Sequence, residues 1–160
     1  MKKIAFVTGM TGQDGPYLAK HLLENDYKVY GLVKRYSNPN LTNLNYLGIE
    51  NAVELITGDV TDDANMNHLI RTIRPNEFYN LAAQSFVGAS WELNKQTSEV
   101  NAMGVLNILN AIVGHNPNTK FYQASTSELY GNANRDGVQD EKTPFHPRSP
   151  YGVSKLYACL

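Results

Sequence analysis

Five apolar runs, each too short for a helix, alternate with stretches of helical periodicity along the chain, and this alternation constrains it to a parallel sheet with crossover helices. The runs cover residues 4–7, 29–33, 53–57, 77–81 and 121–124. Between the first two, the pattern predicts a helix over 15–24, with Pro16 tolerated in its first turn and Leu18, Ala19, Leu22 and Leu23 turned inward. Thr61, Asp62 and Asp63 read as a helix start whose carboxylates complement the dipole. Met66, Leu69, Ile70 and Ile73 then follow at helical spacing until Pro75. A longer helix over 93–114 is expected to bury Ala102, Leu106, Leu109 and Val113, with further helical segments over 41–47 and 151–160. Residues 130–150 read as loop.

Repeated βα units define the fold class: α/β, a Rossmann-like doubly wound parallel sheet, whose ligand site lies at the carboxyl ends of the strands near the switch point. With 160 residues and 42% hydrophobic content, a single domain over 1–160 is expected. A formal net charge of −1 leaves no basic excess to track a phosphate backbone, so nucleic acid is not an expected partner. The apolar run after Lys3 is far too short for a signal peptide or a membrane span, and no membrane association is expected. A lone Cys159 suits a reducing compartment, which makes the cytoplasm the expected location. His21, His68, His115 and His146 lack a second ligand at helical spacing, and no metal is expected. Trp91 and most tyrosines are expected to pack in the core or at the edge of a site.

Directly after the first apolar run stands Thr8-Gly9-Met10-Thr11-Gly12-Gln13-Asp14-Gly15, three glycines spaced three apart at the entry to a helix. Such glycines permit a tight turn and let main-chain N–H groups approach a pyrophosphate, while the helix N-terminus supplies partial positive charge. NAD-selective sites place a carboxylate at the end of the second strand. Here that end reads Val33-Lys34-Arg35, and two cations in place of an acid favour a 2′-phosphate and therefore NADP.

Further along, Tyr151 and Lys155 stand four residues apart, on one face of a helix. A neighbouring cation stabilises a phenolate, so Tyr151 could accept a hydroxyl proton. The fifth apolar run leads into Ser125-Thr126-Ser127-Glu128, which delivers hydroxyls and one carboxylate to the carboxyl edge of the sheet.

Taken together, Thr8-Gly9-x-x-Gly12-x-x-Gly15, the segment Asn80-Leu81-Ala82-Ala83-Gln84 and Tyr151-x-x-x-Lys155 resemble the extended short-chain dehydrogenase/reductase family. Within it the likeness is to the GDP-mannose 4,6-dehydratase group, carried by TGMTGQDG, YNLAAQSFVGAS, FYQASTSELYG and PRSPYGVSKLY, and it covers essentially the whole chain. The resemblance implies a catalytic set of Thr126, Glu128, Tyr151 and Lys155. Thr126 would hydrogen-bond the C4 oxygen of the sugar, Tyr151 would act as base, and Glu128 would remove the C5 proton before water is lost from C6. It also implies a cofactor, NADP, held by Gly9, Thr11, Gly12, Gln13, Asp14, Gly15, Arg35, Asp59, Val60, Leu81, Ala82, Ala83, Gln84, Ser85, Tyr151 and Lys155. Ser85, Thr126 and Glu128 would meet the substrate, GDP-mannose or a related nucleotide sugar, and a homo-oligomer is implied for the full-length protein.

Family members run to roughly double this length, and the sequence ends inside the helix that carries Lys155. The last strands of the sheet and the C-terminal sugar-nucleotide domain are therefore expected outside these 160 residues. After Arg35 the run Tyr36-Ser37-Asn38-Pro39 departs from the family pattern. Two other readings stand beside the dehydratase: an NADP-dependent 4-reductase or epimerase on the same scaffold, and a non-catalytic NADP-binding fragment.

Overall fold

The computed structural model describes residues 2–34, 40–132 and 137–160. The chain forms two compact units, one of Met1–Ala82 with Asn107–Ala124 and one of Ala83–Leu106 with Ser125–Leu160.

The first unit holds a five-stranded sheet of β1 (Ile4–Thr8), β2 (Lys28–Val33), β3 (Glu54–Thr57), β4 (Glu77–Asn80) and β5 (Lys120–Gln123) in the order β3-β2-β1-β4-β5, with every neighbouring pair parallel. Each predicted strand is present within a residue or so of its expected bounds. Ala5 to Thr8 on the central strand are fully buried, as an all-parallel strand covered on both faces requires. On one face Ala5, Val7, Val29 and Val33 pack with Ala19 and Leu22 of α1 (Asp14–Glu24) and with Leu44 of α2 (Thr42–Tyr46). On the other, a row of aromatic rings crosses three strands. Phe6 meets Phe78 nearly edge-on at 4.9 Å between centroids, and Phe78 lies 6.0 Å from Phe121.

The strand order reverses between β1 and β4, and the residues at that point are polar. Thr8 Oγ1 donates to Asn80 Oδ1 at 2.5 Å and accepts from the N–H groups of Leu81 and Ala82 at 3.1 and 3.0 Å, while Asn80 Nδ2 donates to Gln123 Oε1 at 2.8 Å. One hydroxyl therefore satisfies two main-chain donors exactly where β4 ends and its ladder can no longer do so. Thr8→Val keeps the shape and removes both acceptors. Leaving these N–H groups unpaired is expected to cost about 2–4 kcal/mol, read as a lower urea midpoint at unchanged slope.

The helix α3 (Asp63–Ile73) starts as its sequence predicts: Asp62 caps it by accepting from Asn65 N–H at 3.0 Å, and Asp63 lies in the first turn. It stops at Arg74, which takes a left-handed conformation one residue before Pro75. The predicted helix over 93–114 is instead three segments: α4 (Asn94–Ser98), a π-helical turn (Glu99–Met103) and α5 (Gly104–His115). Its expected inward stripe is corrected in part. Ala102 is buried as expected and Leu106 half-buried, but Leu109 and Val113 are exposed, and Val105, Ile108 and Ile112 are buried, each one position before an expected residue. The segment carries two adjacent apolar stripes, so periodicity alone cannot choose between them. The widened π turn also breaks the regular spacing on which the expectation rested. Trp91, expected in packing, is exposed.

The second unit is built around α6 (Pro150–Cys159). Ser149 caps it by accepting from Gly152 N–H at 3.0 Å, and Pro150 occupies the first helical position, where its missing N–H costs nothing. Among the described residues, no helix is long and apolar enough to cross a membrane.

Candidate functional site

In the first unit, β1 turns into α1 through a loop that only glycine can form. Gly9 has φ +70°, and a Cβ there would stand 2.8 Å from the carbonyl carbon and oxygen of Leu81. A Cβ at Gly15 would come within 2.6 Å of the Gly9 carbonyl oxygen, so the helix enters directly against the turn. Gly12 N–H closes the turn on Gly9 O at 3.0 Å, and Asn43 Nδ2 holds Gly12 O at 2.8 Å. Gly12, Gln13 and Asp14 are exposed. Gln13, which precedes α1, makes no side-chain cap. A bare main-chain surface with uncapped donors at the carboxyl end of the central strand fits a dinucleotide pyrophosphate.

At the adjoining strand ends, Lys34 Nζ lies 3.1 Å from Asp59 Oδ2. Asp59 also accepts from the N–H and hydroxyl of Thr61 at 3.0 and 2.9 Å. Burial alone would raise the Asp59 carboxyl; the bonds from Thr61 and from the Lys34 ammonium outweigh it and hold the group below its ordinary range. Val60 is buried, and its carbonyl accepts from Asn107 Nδ2 at 3.0 Å. Arg35 lies outside the described residues, as do Tyr36 to Pro39.

In the second unit, Thr126 is extended and opens a 3-10 turn (Ser127–Leu129), its Oγ1 accepting from Glu128 N–H at 3.2 Å. This turn packs on the first turn of α6. A Cβ on Gly152 would stand 3.0 Å from both the Glu128 carbonyl oxygen and Pro147 Cβ, so Gly152 sets how closely Glu128 approaches the helix of Tyr151 and Lys155. Tyr151 and Lys155 are buried at 7% and 3% exposure, which brings the expected phenol and ammonium together on one covered helix face. Burial pushes the Lys155 ammonium below its ordinary range, with Cys159 acting weakly the other way. Gly152→Ala gains helix propensity, so stability should stay within about 1 kcal/mol. The forced shift of a few tenths of an ångström at Glu128 is expected to lower kcat about tenfold with little change in KM, a split that steady-state kinetics would read.

Sequence reasoning missed Asn101. This residue sits on the π-helical turn, almost wholly buried, and its amide is fully used: Oδ1 accepts from Gln84 N–H at 2.9 Å, and Nδ2 donates to Gln84 O at 3.1 Å and to Ser154 Oγ at 3.3 Å. Ser154 in turn donates to the Tyr151 carbonyl at 2.8 Å. Asn101 thus ties the Gln84 backbone to α6 between Tyr151 and Lys155. The available signal was an amide inside the apolar run Val100-Asn101-Ala102, where burial is tolerable only with partners. Gln84 Oε1 is buried without a hydrogen-bond partner, while Gln84 Nε2 donates to Phe86 O at 3.2 Å. An unmatched buried acceptor is what a ligand donor would satisfy. Ala83 is half-buried and Ser85 exposed in the same strap.

The parallel 3-2-1-4-5 sheet, the glycine turn and the Tyr-x-x-x-Lys helix define a Rossmann-fold protein of the extended short-chain dehydrogenase/reductase class. The sequence profile of one family, GDP-mannose 4,6 dehydratase, matches residues 6–160. The chain belongs to that family. It is 47% identical to the GDP-mannose 4,6 dehydratase of Drosophila melanogaster and to a GDP-mannose 4,6-dehydratase of Vibrio cholerae, with 97% and 99% of this chain covered. It spans 41% and 44% of those relatives' lengths. Among solved structures, the UDP-glucose 4-epimerase of Thermotoga maritima matches 97% of this chain and 48% of its own, with a TM-score of 0.81 at 26% identity. The dTDP-glucose 4,6-dehydratase DesIV of Streptomyces venezuelae, solved with NAD bound, matches 97% of this chain and 49% of its own, with a TM-score of 0.82 at 25% identity.

Proposed function

We propose that this chain carries the dinucleotide-binding and catalytic residues of an NADP-dependent GDP-mannose 4,6-dehydratase, which converts GDP-mannose to GDP-4-keto-6-deoxymannose and water. The observation that carries this reading is the Glu128 turn seated on the first turn of α6, in a chain of the dehydratase family. Such packing would let a phenol and a carboxylate from two neighbouring elements work as an acid–base pair of unlike chemistry.

Gly9, Thr11, Gly12, Gln13, Asp14 and Gly15 would hold the pyrophosphate, Asp59 and Val60 the adenine, Lys34 and Arg35 the 2′-phosphate, and Leu81, Ala82, Ala83, Gln84 and Ser85 the nicotinamide side. When bound, the nicotinamide supplies hydride chemistry, taking hydride from C4 of the sugar and returning it to C6. Tyr151, held as a phenolate by the Lys155 ammonium, accepts the C4 hydroxyl proton and becomes the neutral phenol, and Lys155 also holds the nicotinamide ribose. Thr126 Oγ1 already accepts from Glu128 N–H, which leaves its own hydrogen to donate to the C4 oxygen. A ketone at C4 makes the C5 proton acidic. Glu128 removes that proton and passes it to the C6 hydroxyl, which leaves as water. Ser85 would meet the substrate beside Thr126 and Glu128.

Mass spectrometry of GDP-mannose incubated with NADP and the intact protein tests the reading. A product lighter by one water is the expected result, whereas a product of unchanged mass points to an epimerase, and a reductase would leave GDP-mannose unconverted and act only on a 4-keto sugar nucleotide supplied with NADPH.

A further inference from the structure

We infer that Asp59 sets the preference between the phosphorylated and unphosphorylated dinucleotide by holding the Lys34 ammonium. This rests on the dinucleotide reading of the glycine loop. The end of β2 carries no acid of its own, only Lys34 and Arg35, and by sequence it should be open to a 2′-phosphate. Tertiary structure brings an acid there from the next strand. Val33 pairs with Thr57, and the ladder runs one step further through Gly58 N–H to Val33 O at 3.0 Å, so Lys34 and Asp59 leave their strands side by side.

Asp59 is a fixed partner. Its carboxylate accepts from the N–H and hydroxyl of Thr61 at 3.0 and 2.9 Å, and Lys34 Nζ sits 3.1 Å from its other oxygen. The residue before it is closely packed: a Cβ on Gly58 would overlap Asn65 Oδ1 and stand 2.8 Å from Leu32 Cδ1. With Lys34 held in this way, a 2′-phosphate gains its charge only by drawing the ammonium away from a carboxylate, and it meets that carboxylate's repulsion as well. The unphosphorylated ribose has no such competition. Asp59 is therefore a positioning residue for specificity, acting through Lys34, separately from any contact with the adenine, which both dinucleotides share.

Calorimetric titration of the intact protein with NADP and with NAD tests this in wild type, Asp59→Asn, Lys34→Met and the double variant. Asparagine keeps the acceptor for Thr61 and removes only the charge. In Asp59→Asn, NADP is expected to bind about threefold to tenfold more tightly relative to NAD, in line with a partly exposed ion pair, and on the Lys34→Met background that change in ratio should vanish. By NMR of the nucleotide-free protein, the Asp59 carboxyl should titrate nearer its ordinary value in Lys34→Met. An unchanged ratio in Asp59→Asn overturns the coupling, as does a ratio change that persists without Lys34. Failure of the wild type to bind either nucleotide would instead overturn the dinucleotide reading beneath it.

Discussion

Glu128→Gln is expected to lower formation of the 4-keto-6-deoxy product by about 10²–10⁴-fold, the range for losing a positioned general base, while nucleotide-sugar affinity changes little. Glutamine preserves the size of the side chain and leaves the turn intact, because the main-chain bond from Glu128 N–H to Thr126 Oγ1 does not involve the carboxylate. What it cannot do is accept a proton. Since Tyr151 and Lys155 are untouched, oxidation at C4 should survive, and exchange of the C5 hydrogen with deuterated water should be lost together with dehydration. Mass spectrometry of the recovered sugar nucleotide reads both. Normal C5 exchange in Glu128→Gln would remove the base from this residue and leave the dehydratase assignment without its chemistry. Tyr151→Phe should differ, blocking the C4 step and everything after it.

Gly9→Ala should produce a large loss of stability for a single methyl group. Two costs combine. At φ +70° an L-residue is strained by about 1–2 kcal/mol, and the new Cβ would sit 2.8 Å from main-chain atoms of Leu81, which cannot swing aside as a side chain could. With overpacking typically costing about 1–3 kcal/mol more, the sum is about 2–5 kcal/mol. For a protein of this size that lowers Tm by roughly 4–20 °C. Dinucleotide affinity should fall with it, because the same turn presents the α1 N–H groups. Gly48 is the internal control. It too has positive φ, at +68°, but nothing lies near its Cβ, so Gly48→Ala should show the strain alone. Equal losses at the two positions would mean that the contact with Leu81 carries no weight.

The fold was readable because its signals are local. Each strand run is bounded by polar or turn-forming residues, α3 announces its start through Asp62 and its end through Pro75, and the glycine turn can be recognised from spacing alone. The misreading of 93–114 came from a segment with two competing apolar stripes, where the choice of buried face depends on what packs against it and not on the helix itself. Thr8 and Asn80 show the same limit. Seventy-two residues separate them, and no local pattern relates the hydroxyl to the N–H groups that it satisfies.

By itself, the sequence determined the class of fold, the position of the glycine turn, and a phenol and an ammonium on one helix face, since each follows from backbone sterics and residue periodicity over a few neighbouring positions. Only the tertiary structure decided that the Glu128 turn rests against Gly152, that Asn101 joins the Gln84 strap to α6, and that Asp59 answers the cation at the end of β2. Those are contacts between segments far apart in the chain. Their distances depend on how strands register and helices pack, which no short-range preference encodes.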